Sequence, residues 1–134
     1  GFGLDLVDPW NRTALYIAAS NSRERIVRRL LERGADPNIR QKDGATPLFI
    51  ASQGGLYEVV WELLRGHRGG EGKSTRRTVE VDFPTYTNST PLYVASQNGH
   101  IDVVNLLIER GADPNAKQSD GATPIYVAIQ NNHL

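Results

Sequence analysis

Two kinds of short apolar cluster alternate along this chain. The first is compact: Leu15-Tyr16-Ile17-Ala18, Leu48-Phe49-Ile50-Ala51, Leu92-Tyr93-Val94-Ala95 and Ile125-Tyr126-Val127-Ala128. The second is a stripe at helical spacing, made of Ile26, Val27, Leu30 and Leu31, then Val59, Val60, Leu63 and Leu64, then Val103, Val104, Leu107 and Ile108. Such spacing places the four residues on one face of an amphipathic helix. The pattern predicts a short helix, a break and a longer helix, repeated. The copies open at Thr13, Thr46, Thr90 and Thr123, at intervals of 33, 44 and 33 residues, so one interval carries an insertion of 11. A fixed period in this range signals a stacked repeat protein, in which each unit buries its apolar face only against its neighbours.

Local chemistry supports these boundaries. A threonine hydroxyl accepts an otherwise unpaired N–H at a helix start, and Pro47, Pro91 and Pro124 sit where the missing N–H has no partner to lose. Small residues (Ala18 and Ala19, Ala51 and Ser52, Ala95 and Ser96, Ala128) let the second helix approach the first. Asn98-Gly99 breaks the short helix. Gly34 and Gly111 stop the long one, because glycine readily takes the left-handed conformation of a C-terminal cap.

Taken together, the Thr-Pro-Leu opening, the central Gly99-His100, the Val-Val-x-x-Leu-Leu type of stripe and Gly111-Ala112-Asp113-Pro114-Asn115 resemble the ankyrin repeat. The resemblance covers residues from about 4 to 134. It implies an all-α solenoid of about three and a half helix-turn-helix units joined by hairpin loops: 13–45, 46–89 with the insertion at about 67–77, 90–122 and a partial 123–134. Residues 1–12 read as the end of a preceding unit or an N-terminal cap, and the chain as a fragment of a longer protein. Two departures stand out. An aromatic residue (Tyr16, Phe49, Tyr93, Tyr126) takes the place of the family's histidine, and Ala14 replaces the first proline. A ring recurring at the repeat period is expected to pack between units.

Charge changes this picture little. Lys and Arg number 15, as do Asp and Glu, so the body as a whole is no polyanion receptor. Cysteine is absent, which excludes disulfides and thiolate metal sites. No signal peptide or membrane span is apparent, and an intracellular, cytoplasmic protein is expected. The insertion, HRGGEGKSTRR, is rich in glycine and basic residues. It reads as a solvated, protruding loop, with a basic docking loop carrying Ser74 or Thr75 as phosphorylation sites the alternative. Its GEGKST is not a phosphate-binding loop. That motif needs a glycine where His67 stands, with a strand before it and a helix after. His67, His100 and His133 lack metal-ligand neighbours. Asn11-Arg12-Thr13 and Asn88-Ser89-Thr90 match a glycosylation sequon whose threonine is already a helix cap. No catalytic constellation stands out, so no enzyme activity, cofactor, metal or small-molecule substrate is expected.

Recognition of another protein or peptide remains. The resemblance implies a concave face lined by hairpin tips and inner helices, serving as a scaffold or adaptor surface. The tip residues on that face are Trp10 and Arg12; Arg40, Lys42 and Asp43; Tyr86 and Thr87; and Lys117 and Asp120. The inner-helix ends add Gln53, Gln97, Asn98 and Gln130. Trp10 and Tyr86 are the sharpest candidates, since exposed aromatic rings are typical interface anchors. The alternative is electrostatic binding of nucleic acid or anionic lipid through the insertion and the basic stretch Arg23, Arg25, Arg28, Arg29 and Arg33.

Overall fold

A computed structural model describes residues 3–65 and 78–131. The insertion at 67–77 lies outside the described residues, and so do His133 and Leu134. Seven α-helices appear among the described residues, with no strand: α1 (Ala14–Ser20), α2 (Glu24–Glu32), α3 (Pro47–Gln53), α4 (Tyr57–Leu64), α5 (Pro91–Gln97), α6 (Ile101–Glu109) and α7 (Pro124–Gln130).

Each inner helix starts in the same way. The hydroxyls of Thr13, Thr46, Thr90 and Thr123 accept the N–H three residues on, at 3.1, 3.2, 3.1 and 3.2 Å. Ala14 in place of proline leaves this cap intact. The turn into the outer helix needs a positive φ, supplied by Gly55 (67°) and Gly99 (74°), but in the first unit by Ser22 (59°). Beyond α2 and α6, Gly34 and Gly111 take φ of 92° and 95°. The end of α4 is closed from the next unit, where an Arg110 Nη1 donates to the Leu64 carbonyl at 3.1 Å.

The inner helices α1, α3, α5 and α7 stack in one row and the outer helices α2, α4 and α6 in a second. The core runs between the rows as one cluster, from Leu15 and Leu31 through Leu48, Val60 and Leu63 to Leu92 and Leu107. Among the described residues only α4 has an outer helix on both sides, and only there is the whole stripe buried: Val59, Val60, Leu63 and Leu64. In α2, Val27 and Leu31 are buried while Ile26 is exposed; in α6, Val103 and Leu107 are buried while Ile108 is exposed. The stripe therefore divides into a half facing the preceding unit and a half facing the next.

A charge sits inside the outer row. Glu62 of α4 is buried, and its Oε1 accepts from Arg28 Nε of α2 at 2.9 Å and from Arg65 Nη1 at 3.2 Å. The basic surface expected on α2 thus loses one of its members to the fold. Arg25, Arg29 and Arg33 instead surround Leu4, Ile26 and Leu30 at the outer end of the stack.

Candidate protein-binding face

The hairpins recur as closely as the helices. Backbone bonds close them at the same register four times: Asp8 N to Arg12 O (3.1 Å), Gln41 N to Ala45 O (2.9 Å), Thr85 N to Ser89 O (2.9 Å) and Gln118 N to Ala122 O (2.9 Å). The tips alternate between Asn11, Gly44, Asn88 and Gly121, all at positive φ. Asparagine tolerates this conformation better than most residues and adds a side-chain donor. Asn11 Nδ2 donates to the Arg40 carbonyl at 2.7 Å, and Asn88 Nδ2 to the Lys117 carbonyl at 3.1 Å. The Lys42 N–H bonds the Trp10 carbonyl (3.0 Å) and the Ser119 hydroxyl bonds the Thr87 carbonyl (2.8 Å).

A second ladder runs behind the tips. Side chains at one register, Asp5, Asn38 and Asp82, accept from the backbone N–H of the following unit at Asp36 (2.9 Å), Glu80 (2.9 Å) and Asp113 (3.1 Å). Asn38 alone also donates, to the Thr78 carbonyl at 2.8 Å. Burial raises the Asp82 carboxyl above its ordinary value and the Asp113 charge adds to this, while the bond from Asp113 N–H opposes both.

At the inner-helix ends the amide candidates are tied to one another through the backbone. Asn98 Nδ2 donates to the Gln53 carbonyl at 3.0 Å, the His100 Nε2 lies 3.0 Å from the same oxygen, and Asn131 Nδ2 donates to the Gln97 carbonyl at 3.2 Å. The side chains of Gln53, Gln97, Asn98 and Gln130 are exposed.

The aromatic column packs as its period predicts. Tyr16, Phe49 and Tyr93 are buried, the first two in a small cluster with Ala45 and Val94. Gln41 Nε2 donates to the Tyr16 hydroxyl at 2.8 Å. Tyr126, in the last described helix, is exposed. Burial raises the Tyr16 hydroxyl above its ordinary value, with the Asp43 charge adding and Arg12 opposing; burial and then Asp120 raise Tyr93.

The tip candidates fall into two groups. Trp10 and Tyr86 are 56% and 65% exposed, and Lys42, Asp43, Thr87, Lys117 and Asp120 are exposed too. Arg12 is half-buried, stacked 4.9 Å from the Trp10 ring centre and paired with Asp8 at 2.7 Å. Arg40 is also half-buried, but its guanidinium lies between two rings, 4.1 Å from Phe83 and 4.9 Å from Tyr86, and donates to the Pro84 carbonyl. Arg40 therefore supports the neighbouring tip from within, a role that sequence reasoning misses. Phe83 and Gly44 belong to this support as well. Their signal in the sequence is faint, since the contact is made across 43 residues and a unit boundary.

The family model for ankyrin repeats (3 copies) matches three overlapping stretches, residues 1–77, 33–118 and 70–134. The chain belongs to the ankyrin-repeat family. It is 36% identical over 110 residues to alpha-latrocrustotoxin-Lt1a of Latrodectus tredecimguttatus, which covers 82% of this chain and 7% of that protein. To transient receptor potential cation channel subfamily A member 1 of Homo sapiens it is 30% identical over 108 residues, 81% of this chain and 9% of the relative. To NF-kappa-B inhibitor alpha of Sus scrofa it is 32% identical over 108 residues, 80% of this chain and 32% of the relative. The chain thus spans less than a tenth of the first two relatives and about a third of the third. Ankyrin repeats are generally protein–protein interaction modules, and the family is generally non-catalytic. No described helix is long and apolar enough to cross a membrane.

Proposed function

We propose that this chain is a non-catalytic interaction module that binds a partner polypeptide through the face formed by the hairpin tips and inner-helix ends. One observation carries the reading: the tips are bonded to one another by Asn11, Lys42, Asn88 and Ser119, yet Trp10 and Tyr86 project from them largely uncovered. A pre-ordered surface spends little conformational entropy on binding, so exposed rings held on it are effective anchors. Lys42, Asp43, Thr87, Lys117, Asp120 and the amides of Gln53, Gln97, Asn98 and Gln130 supply the polar surround, and Arg12 and Arg40 hold the two rings. The binding of other proteins by ankyrin repeats in general supports this assignment, and an intracellular setting is proposed with it.

The test is affinity capture with mass spectrometry on three proteins: the parent, a Trp10→Ala/Tyr86→Ala variant, and a control altered on the outer helix at Asn105. Loss of the same partner from the double variant alone supports the concave face. Retention by the double variant overturns it. Binding that is lost through Arg25, Arg29 and Arg33 and collapses with rising salt would instead mark an electrostatic surface for nucleic acid or anionic lipid.

A further inference from the structure

We propose that the uncovered flank of α2 is a second docking surface, which receives an amphipathic helix carrying acidic side chains one turn apart beside an apolar stripe. The concave face takes no part in this contact, so the two readings stand or fall separately.

The outer row itself shows how one helix covers another. Val59, Glu62 and Leu63 of α4 are buried, and Arg28 of α2 donates to Glu62 Oε1 at 2.9 Å. One period of 33 residues earlier, the same positions in α2 hold Ile26, Arg29 and Leu30. The apolar pair is kept while the charge between them is reversed. Ile26 is 51% exposed, however, where Val59 and Val103 are fully buried, and Leu30 is half-buried where Leu63 and Leu107 are buried.

This flank has a defined shape. A cleft of about 370 Å³ is lined by Leu4, Ile26 and Leu30 together with Arg25, Arg29 and Arg33. The three arginines follow one another at i, i+4 and i+8, so they run along one side of the helix over ~12 Å. All three are exposed, and among the described residues no ion pair joins any of them to a carboxylate.

Charge complementarity names the occupant. A helix laid on α2 as α2 lies on α4 sets opposite Arg29 the position that Arg28 holds opposite Glu62. A second arginine there would be repelled, whereas a carboxylate restores the pair and accepts the guanidinium fork. Positions one turn before and after it face Arg25 and Arg33 in the same way. The apolar positions that Val27 and Leu31 hold in α2 would then meet Ile26 and Leu30. The partner helix therefore reads Glu-x-x-Leu-Glu-x-x-Leu-Glu, with aspartate and other aliphatic residues as equivalents. A nucleic acid would meet the arginines but leave Ile26 and Leu30 in water, and a flat lipid surface would not enter the cleft.

The probe is a fluorescein-labelled alanine-based peptide of about 18 residues, long enough to hold a helix, with Glu-Ala-Ala-Leu-Glu-Ala-Ala-Leu-Glu at its centre. It is titrated by anisotropy against the whole chain, and thermal melts verify that each variant keeps the fold. Arg29→Glu should weaken this peptide at least about tenfold, and Ile26→Ala about three- to tenfold. A peptide with lysine in place of the central glutamate should reverse the order and prefer Arg29→Glu to the parent by a similar factor. Added salt should reduce the affinity without abolishing it, because the apolar contact is not screened. Equal binding of a scrambled peptide, with the leucines moved off the stripe, would overturn the proposal. So would parent-like affinity in Arg29→Glu, or no reversal with the lysine peptide. Loss in the Trp10→Ala/Tyr86→Ala variant would place the peptide on the concave face and overturn the α2 site alone. Arg29-dependent binding of phosphatidylserine vesicles or duplex DNA, with none of the peptide, would overturn it in favour of an anion-binding surface.

Discussion

Gly44 lies directly against Tyr86: a Cβ at Gly44 would stand 2.7 Å from the Tyr86 amide nitrogen and 3.0 Å from its ring. With φ at 92°, this glycine serves both the bend of one tip and the approach of the next. Gly121 has the same register and a φ of 87°, but nothing within 4 Å of its Cβ position. Gly44→Ala and Gly121→Ala should therefore share a conformational cost of about 1–2 kcal/mol, with Gly44→Ala costing more. Denaturant titration of both variants isolates the difference, and equal losses would remove the Tyr86 contact from the account.

The opposite substitution is expected to help at Ser22. Its φ of 59° is carried by Gly55 and Gly99 in the corresponding turns, and a side chain with Cβ pays for the left-handed region. Ser22 is exposed, so little packing is lost by removing it. Ser22→Gly should stabilise the fold by about 1 kcal/mol despite the greater freedom of glycine in the unfolded chain. A lower melting temperature would show that unfolded-state entropy dominates instead.

These two cases show what the sequence discloses and what it conceals. The helix starts and the breaks are legible because each depends on residues within one period, Thr90 with Pro91 and Asn98 with Gly99, and the aromatic column is legible because one position, that of Tyr16 and Phe49, recurs at the period itself. The exposure of Trp10 and Tyr86 is legible for the same reason, since no position in the repeat gives them a packing role. Contacts between units are not. Arg28 reads as a solvated outer-helix cation, yet its partner Glu62 is 34 residues away, and only the relative rotation of α2 and α4 brings them together. Arg40 reads as an exposed tip residue, yet the next hairpin supplies Phe83 and Tyr86 as its walls.

Asp82 gives a pH-dependent expectation. Its folded pKa is raised above the ordinary 3.8, so the folded chain holds this proton more tightly than the unfolded one and ionisation weakens the fold. The loss sets in as pH rises from the unfolded value to the folded one and is complete above it. Asp82→Asn removes the charge facing Asp113 and, by the precedent of Asn38, adds a donor for the carbonyl of Gly111. The variant should be more stable than the parent at neutral pH, with its advantage shrinking as the solution is acidified through the raised folded pKa towards the ordinary 3.8 and levelling off below it. An advantage that grows in acid would contradict the sign.

The Arg28–Glu62 pair should respond asymmetrically. The register position of Glu62 is held in α6 by Leu106, itself buried, so the site accepts an apolar side chain. Buried ion pairs can often be replaced by packed apolar residues at little cost, whereas removing one partner leaves a buried charge poorly compensated. Glu62→Leu should change stability by no more than about 1 kcal/mol, while Arg28→Ala, with Arg65 still present, should cost about 1–2 kcal/mol. Chemical denaturation decides between this ranking and its reverse, which would make the charge itself essential to the stack.

Arg40 and Trp10 separate support from contact. Truncating Arg40 removes stacking on Phe83 and Tyr86 and a bond to the Pro84 carbonyl, so Arg40→Ala should lower stability by about 1–2 kcal/mol and loosen Tyr86. Trp10 makes its cross-unit bond through its own carbonyl, to the Lys42 N–H, and that bond survives substitution of the ring. Trp10→Ala should therefore leave the melting temperature near that of the parent while weakening a concave-face partner by more than about 1 kcal/mol. Arg40→Lys discriminates further, because the ammonium keeps the charge but not the planar stacking, and it should restore only part of both stability and binding. Full rescue by lysine would mean that charge, rather than the two-ring sandwich, positions Tyr86.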